Sequence, residues 1–119
     1  MSKGKAVHYT TIEAQRVDDP AAGGASIRWL IDSEHDGAPN FAMRMIELAP
    51  GGHSPLHTHP FEHQNFVVEG RGEVRLGDRS HPIGPGDVVW VPPGLLHQYR
   101  NTGDGVLRFL CTIPIKNKD

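Results

Sequence analysis

Three histidines, His57, His59 and His63, fall at i, i+2 and i+6 within GGHSPLHTHPFEHQNFVVEG, residues 51–70. Alternate residues of an extended strand point to the same face. His57 and His59 therefore face one way, and His63 joins them if the strand continues through Pro60 or bends there. A fourth histidine, His97, recurs in PPGLLHQYRN. Converging imidazoles suit a first-row divalent metal, with Zn, Cu, Fe and Ni favoured over Mn on affinity alone. Four neutral imidazoles bring no compensating charge. A bound M(II) would keep its full +2, act as a stronger Lewis acid than at a site with a carboxylate ligand, and stay in the reduced state. Six-coordinate geometry with four protein ligands leaves two adjacent open positions, as a catalytic metal needs. A tetrahedral Zn(II) would instead close the site and be structural.

Other side chains have weaker chemical claims. VLRFLCTI (106–113) reads as a strand with Phe109, Cys111 and Ile113 on one face, and these three are expected to line a pocket near the metal. Cys111 is then a thiol standing behind the ligands, or a small buried apolar residue, as free cysteines often are. Arg44 lies among apolar neighbours in FAMRMIEL (41–48). It either binds an anionic substrate or pairs with a carboxylate such as Glu47 or Glu73. His8, His35, His53 and His81 lack such context and read as surface residues, with His53 nearest the pocket rim. Trp29 and Trp90 read as core or interface residues.

The elements that must position these groups are strands. At 119 residues, with 14 glycines and 10 prolines, the chain suits one domain of short strands and tight turns. Strands are expected at 7–17, 26–32, 41–48, 57–59, 65–69, 73–76, 81–83, 88–91, 97–101 and 106–113, with turns at 18–24, 33–40 and 49–55. With no convincing helix, the class is an all-β sandwich or barrel. The net charge of −2 comes from mixed signs without a basic block, so nothing points to nucleic acid or an anionic membrane. One cysteine excludes an intrachain disulfide framework. With no apolar leader or membrane span, a cytoplasmic protein is expected.

Two spaced motifs carry a specific resemblance. Gly51, five residues, His57-Thr58-His59, three residues, His63, six residues and Gly70 resemble the first cupin signature. A histidine stands where the usual acidic ligand would be. Gly86, five residues, Pro92-Pro93-Gly94, two residues, His97, three residues and Asn101 match the second signature throughout. Fifteen residues, Arg71–Pro85, separate them, as in the most compact cupins. The stretches APNFAMR, HTHPFEH and FLCTIP make the chain similar to small single-domain manganese-binding cupins with four histidines. The residue after His63 is often glutamate in such proteins and is Gln64 here.

The resemblance implies a double-stranded β-helix, or jelly roll, as one domain over residues 1–119, with the barrel at about 40–115. It implies His57, His59, His63 and His97 as ligands, Mn(II) as the metal ahead of Fe(II), Zn(II), Ni(II) or Cu(II), and a homodimer formed through N-terminal strands 7–32. The function expected is a metal-dependent, dioxygenase-like oxidoreductase acting on a small organic molecule. The alternatives are a sugar or keto-acid isomerase or epimerase, and a non-catalytic small-ligand-binding module.

Overall fold

The structure, a computed structural model, describes residues 3–115. Nine strands form one sheet that curls on itself: β1 (Gln15–Arg16), β2 (Gly23–Ile31), β3 (Phe41–His53), β4 (His63–Glu69), β5 (Gly72–Leu76), β6 (Arg79–Ile83), β7 (Val88–Val91), β8 (His97–Asn101) and β9 (Leu107–Pro114). The order is β6-β5-β8-β3-β9-β4-β7, with β2 also paired to β3 and β1 to β2. All pairings are antiparallel. The long strand β3 makes the curl. It pairs with β9 from Phe41 to Leu48 and with β2 from Met43 to His53, and His53 also pairs with Arg100 of β8 on the other wall. This is the expected all-β cupin jelly roll.

Alternation along the strands fills the interior. Leu48 of β3, Val67 of β4, Val74 of β5, Val91 of β7, Leu107 and Phe109 of β9 are almost wholly buried. They form one cluster with Ala25, Ile46, Tyr99 and Cys111. At one end of the barrel Asn101 crosslinks the chain. Its Nδ2 donates to Leu48 O (2.8 Å) and Gly105 O (2.7 Å), and its Oδ1 accepts from Gly103 N (2.9 Å). Gly70 turns β4 into β5 at φ 92°, and a Cβ there would strike the backbone carbonyl of Val106. Only glycine meets both demands.

Several expected elements differ. Residues 7–17 are not a strand. His8 begins a 3-10 turn at Tyr9–Thr11, and only Gln15–Arg16 pairs. Arg28 holds this segment down, donating from Nη1 to Ile12 O (2.6 Å) with its guanidinium 5.4 Å from the Tyr9 ring centroid. Within the turn at 33–40 lies a short helix, α1 (Ser33–Asp36). Asp32 caps its start by accepting from His35 N (2.7 Å), and Gly37 ends it in the left-handed region. β3 runs on through Ala49-Pro50-Gly51-Gly52 to His53, where a break was expected. Residues 57–59 form a loop with a single bridge, His57 to His97, in place of a strand.

Candidate metal centre

The bridge holds the two histidine motifs together by backbone alone. His57 N donates to His97 O (3.1 Å), and His97 N donates to His57 O (3.0 Å). Gly94 N donates to His59 O (2.8 Å), tying the loop before β8 to the loop before β4. His57 and His59 therefore share a side because two loops are clasped, and not because an extended strand alternates. His63 arrives from the first residue of β4 and His97 from the first residue of β8.

Ligand nitrogens of His57, His59 and His97 all lie within 4.8 Å of one another. His63 sits outside that set, yet its ring centroid is 4.2 Å from that of His59 and 5.3 Å from that of His97. His63 stacks on His59 at 16° and meets His97 edge-on at 65°. Three histidines are thus gathered, with the fourth alongside.

The hydrogen bonds fix which nitrogens face a metal. Nδ1 of His59 lies 3.0 Å from Phe61 O, and Nδ1 of His97 lies 2.8 Å from Leu95 O. A carbonyl only accepts, so both Nδ1 atoms carry the proton and both Nε2 atoms hold a free lone pair. The Nε2 atoms of His59, His63 and His97 are buried with no hydrogen-bond partner. Buried polar atoms left this way in a native fold call for an occupant. A ligating imidazole normally has its other nitrogen pinned in this manner. The residues present therefore fit a divalent ion. Burial, ahead of neighbouring charges, holds His57, His63 and His97 below the ordinary imidazole range; His63, with the Arg44 charge as second cause, falls to about 3. All three are neutral near pH 7, as ligation requires.

The imidazoles line a cavity of about 260 Å³. Its walls come from Ile46 and Arg44 of β3, Tyr99 of β8, and Phe109 and Cys111 of β9. The Cys111 sulfur is 3.3 Å from His63 Nδ1 and accepts from Arg44 Nη2 at 3.0 Å. Ile113 shares the face of Phe109 and Cys111 but pairs with Ala42, one step beyond the Arg44–Cys111 pair, and packs against the core outside the cavity lining. Arg44 pairs with neither Glu47 nor Glu73. Glu47 points to the other face of β3, where it accepts from Arg28 Nε (3.2 Å) and Arg108 Nε (2.7 Å). Trp29 stacks on Arg44, with Cζ 5.4 Å from the ring centroid. Trp90 is 59% exposed and donates to Glu62 Oε1 (2.7 Å), so it is no core residue. His8, His35 and His81 are exposed, and half-buried His53 stands off the cavity against Gly23.

Sequence reasoning missed part of the wall. Val17, Asp19, Ala25 and Ile27 close the cavity from the N-terminal side, with Asp19 its one lining carboxylate among the described residues. Tyr99 was within reach, being His97 plus two on one strand. Its hydroxyl donates to Asn65 Oδ1, and burial pushes its ionisation far above the usual phenol range. Phe61 stacks on His59 at 4.2 Å.

Residues 44–113 match the family described as Cupin domain. The chain belongs to the cupin family. This cupin superposes on the polyketide cyclase RemF from Streptomyces resistomycificus with a TM-score of 0.88 and 34% identity, over 98% of this chain and 82% of that one. It is 30% identical over 115 residues to an oxalate-binding protein of Thermotoga maritima, covering 92% of this chain and 93% of that protein. It is 37% identical over 71 residues to 1-methylthio-D-xylulose 5-phosphate methylsulfurylase of Rhodospirillum rubrum, covering 60% of this chain and 46% of that protein. Several curated relatives are matched over only 46% to 65% of their length.

Proposed function

We propose that this cupin is a divalent-metal enzyme acting on a carbonyl group of a small, largely apolar organic molecule. The observation that carries the reading is the set of three buried Nε2 atoms without partners, on His59, His63 and His97, at the floor of a mostly apolar cavity. His57, His59, His63 and His97 would hold the ion, His63 after its ring turns out of its stack on His59. When bound, the ion supplies Lewis acidity, which polarises a carbonyl and acidifies its neighbouring C–H. The chain does the rest. Phe61, Phe109 and Ile46 exclude water and flank the substrate, and Asp19 stands at the wall as the available proton acceptor. At about 260 Å³ the space is below that of most drug-sized sites, ~300–1,000 Å³. It holds a small molecule or one end of a longer one. The likeness to a polyketide cyclase over 98% of this chain and 82% of that one supports carbonyl chemistry over the other classes.

A dioxygenase-like oxidoreductase is the second reading, favoured by four uncharged ligands that keep a metal reduced. Mn(II) is proposed as the native ion, with Fe(II) and Zn(II) next. A cytoplasmic setting goes with the buried, unpaired Cys111; among the described residues no helix is long and apolar enough to cross a membrane. A homodimer of single-domain chains is part of the proposal, and sedimentation of Trp29→Ser and Trp90→Ser variants tests which surface pairs.

Elemental analysis of the purified protein beside His63→Ala tests the centre. One metal per chain, lost in the variant, supports it, and no uptake of added M(II) by either protein sinks it. Deuterium exchange into 2,4-pentanedione by the loaded protein, without oxygen uptake, separates carbonyl chemistry from oxidation.

A further inference from the structure

We propose that Arg44 binds an oxyanion. The cavity then takes a small molecule bearing a planar oxygen anion, either a carboxylate or an ionised enol or phenol, set between the guanidinium and the imidazoles. This deepens the functional reading above by naming the class of its substrate.

The guanidinium is placed for that role and otherwise unanswered. Arg44 is the one lysine or arginine lining the cavity among the described residues. Its Nη2 donates to Cys111 Sγ at 3.0 Å, and the same sulfur lies 3.3 Å from His63 Nδ1. The cation is thus two contacts from the imidazole cluster. Its Nε is buried with no hydrogen-bond partner. No carboxylate neutralises it. Glu47 faces away and is held by Arg28 and Arg108, and Asp19 accepts from Ala21 N at 2.9 Å without pairing to Arg44. The Trp29 face positions the guanidinium but carries no counter-charge.

A charged donor buried without an acceptor is costly. A divalent ion a few ångströms away adds repulsion between like charges in a poorly screened space. One planar oxyanion answers both, since a guanidinium fork donates to the oxygen of such a group and a metal would be ligated by it. A guanidinium serving packing alone would be expected to have its Nε satisfied, as the arginines around Glu47 do.

The test uses calorimetric titration of metal-loaded and chelator-treated protein. Benzoate is compared with benzamide, and 4-nitrophenolate with 4-nitroanisole. The wild type should prefer one anion over its neutral counterpart by about tenfold. Which pair shows the preference tells a carboxylate from an ionised enol or phenol. Arg44→Gln should abolish the preference in the chelator-treated protein and lower it several-fold in the loaded one, while leaving the neutral probe's affinity and the metal content unchanged. Arg44→Lys, charged but without the fork, should keep only part of it. Anions that bind no better than their neutral counterparts, or not at all, overturn the proposal, as does a preference intact in Arg44→Gln. Should Arg44→Gln not fold, an undiminished preference in Arg44→Lys overturns it. The chelated arm keeps the two readings apart. A preference that survives chelation stands without a metal, and a protein that loads metal but shows no preference loses only this inference.

Discussion

The two ends of the barrel treat buried polar atoms in opposite ways. Around Asn101 and Glu47 each buried group is answered: three hydrogen bonds for the amide and two arginines for the carboxylate. Around His59, His63, His97 and Arg44, four buried nitrogens have no partner. The closed end spends its polar groups on holding the fold, since a satisfied buried network fixes one arrangement. The open end keeps unsatisfied atoms in place, which the rest of the barrel must over-determine. Stability and chemistry are therefore expected to separate along the barrel.

Substitution at the open end should give the largest effect. His59→Ala should bring metal content from about one per chain to near zero, while the metal-free fold loses no more than about 1 kcal/mol in urea unfolding. A larger loss would show that the histidines hold the fold as well. At the closed end Leu107→Ala should cost about 2–5 kcal/mol by the same measurement and leave metal stoichiometry of the folded protein untouched. Asn101→Ala should cost about 2–3 kcal/mol, because two carbonyls and one N–H lose their partner.

Acid should act through the open end. The folded-state values of His57, His63 and His97 lie below the unfolded imidazole value of about 6.5. As pH falls through 6.5 the unfolded chain takes up protons first, so stability present above 6.5 declines until His63 titrates near 3. Metal release should follow the same direction and begin below about pH 6. Metal analysis after dialysis across this range checks it, and release confined to pH below 3 would count against histidine ligation. The smallest effect is expected outside the barrel. Trp90→Ser removes one exposed hydrogen bond, to Glu62, and should change monomer stability by about 0.5 kcal/mol or less.

The jelly roll and the gathering of His57, His59 and His97 were legible because two spaced motifs encode them. The positions of Phe109 and Cys111 followed from strand alternation, whereas Arg44 stood out only as a charge among apolar neighbours. Ile113 did not, since alternation gives a face and not how far a cavity extends along it. The N-terminal wall was illegible for a related reason. Val17 and Asp19 lie outside any strand, and Ala25 and Ile27 reach the cavity through the long-range β2–β3 pairing, with Val17 N donating to Ala25 O (2.9 Å). Residues 7–17 suggested a strand by composition, but the contacts of Arg28 with Ile12 and Tyr9 decide that segment, and they are long-range. The helix Ser33–Asp36 had a local signal, Asp32 before it and Gly37 after it, hidden within a stretch rich in turn formers.

The backbone clasp between His57 and His97 has a consequence for how such a protein diversifies. The spacing of His57, His59 and His97 is held by main-chain bonds, and neither Ile27 nor Ile46 takes part in them. The floor and the walls are thus separable inheritances. Exchanging Ile27 or Ile46 can reshape what enters without disturbing where an ion would sit. Lengthening the β5–β6 hairpin between the motifs would also leave the clasp intact, because its two halves meet in space whatever length of chain runs between them.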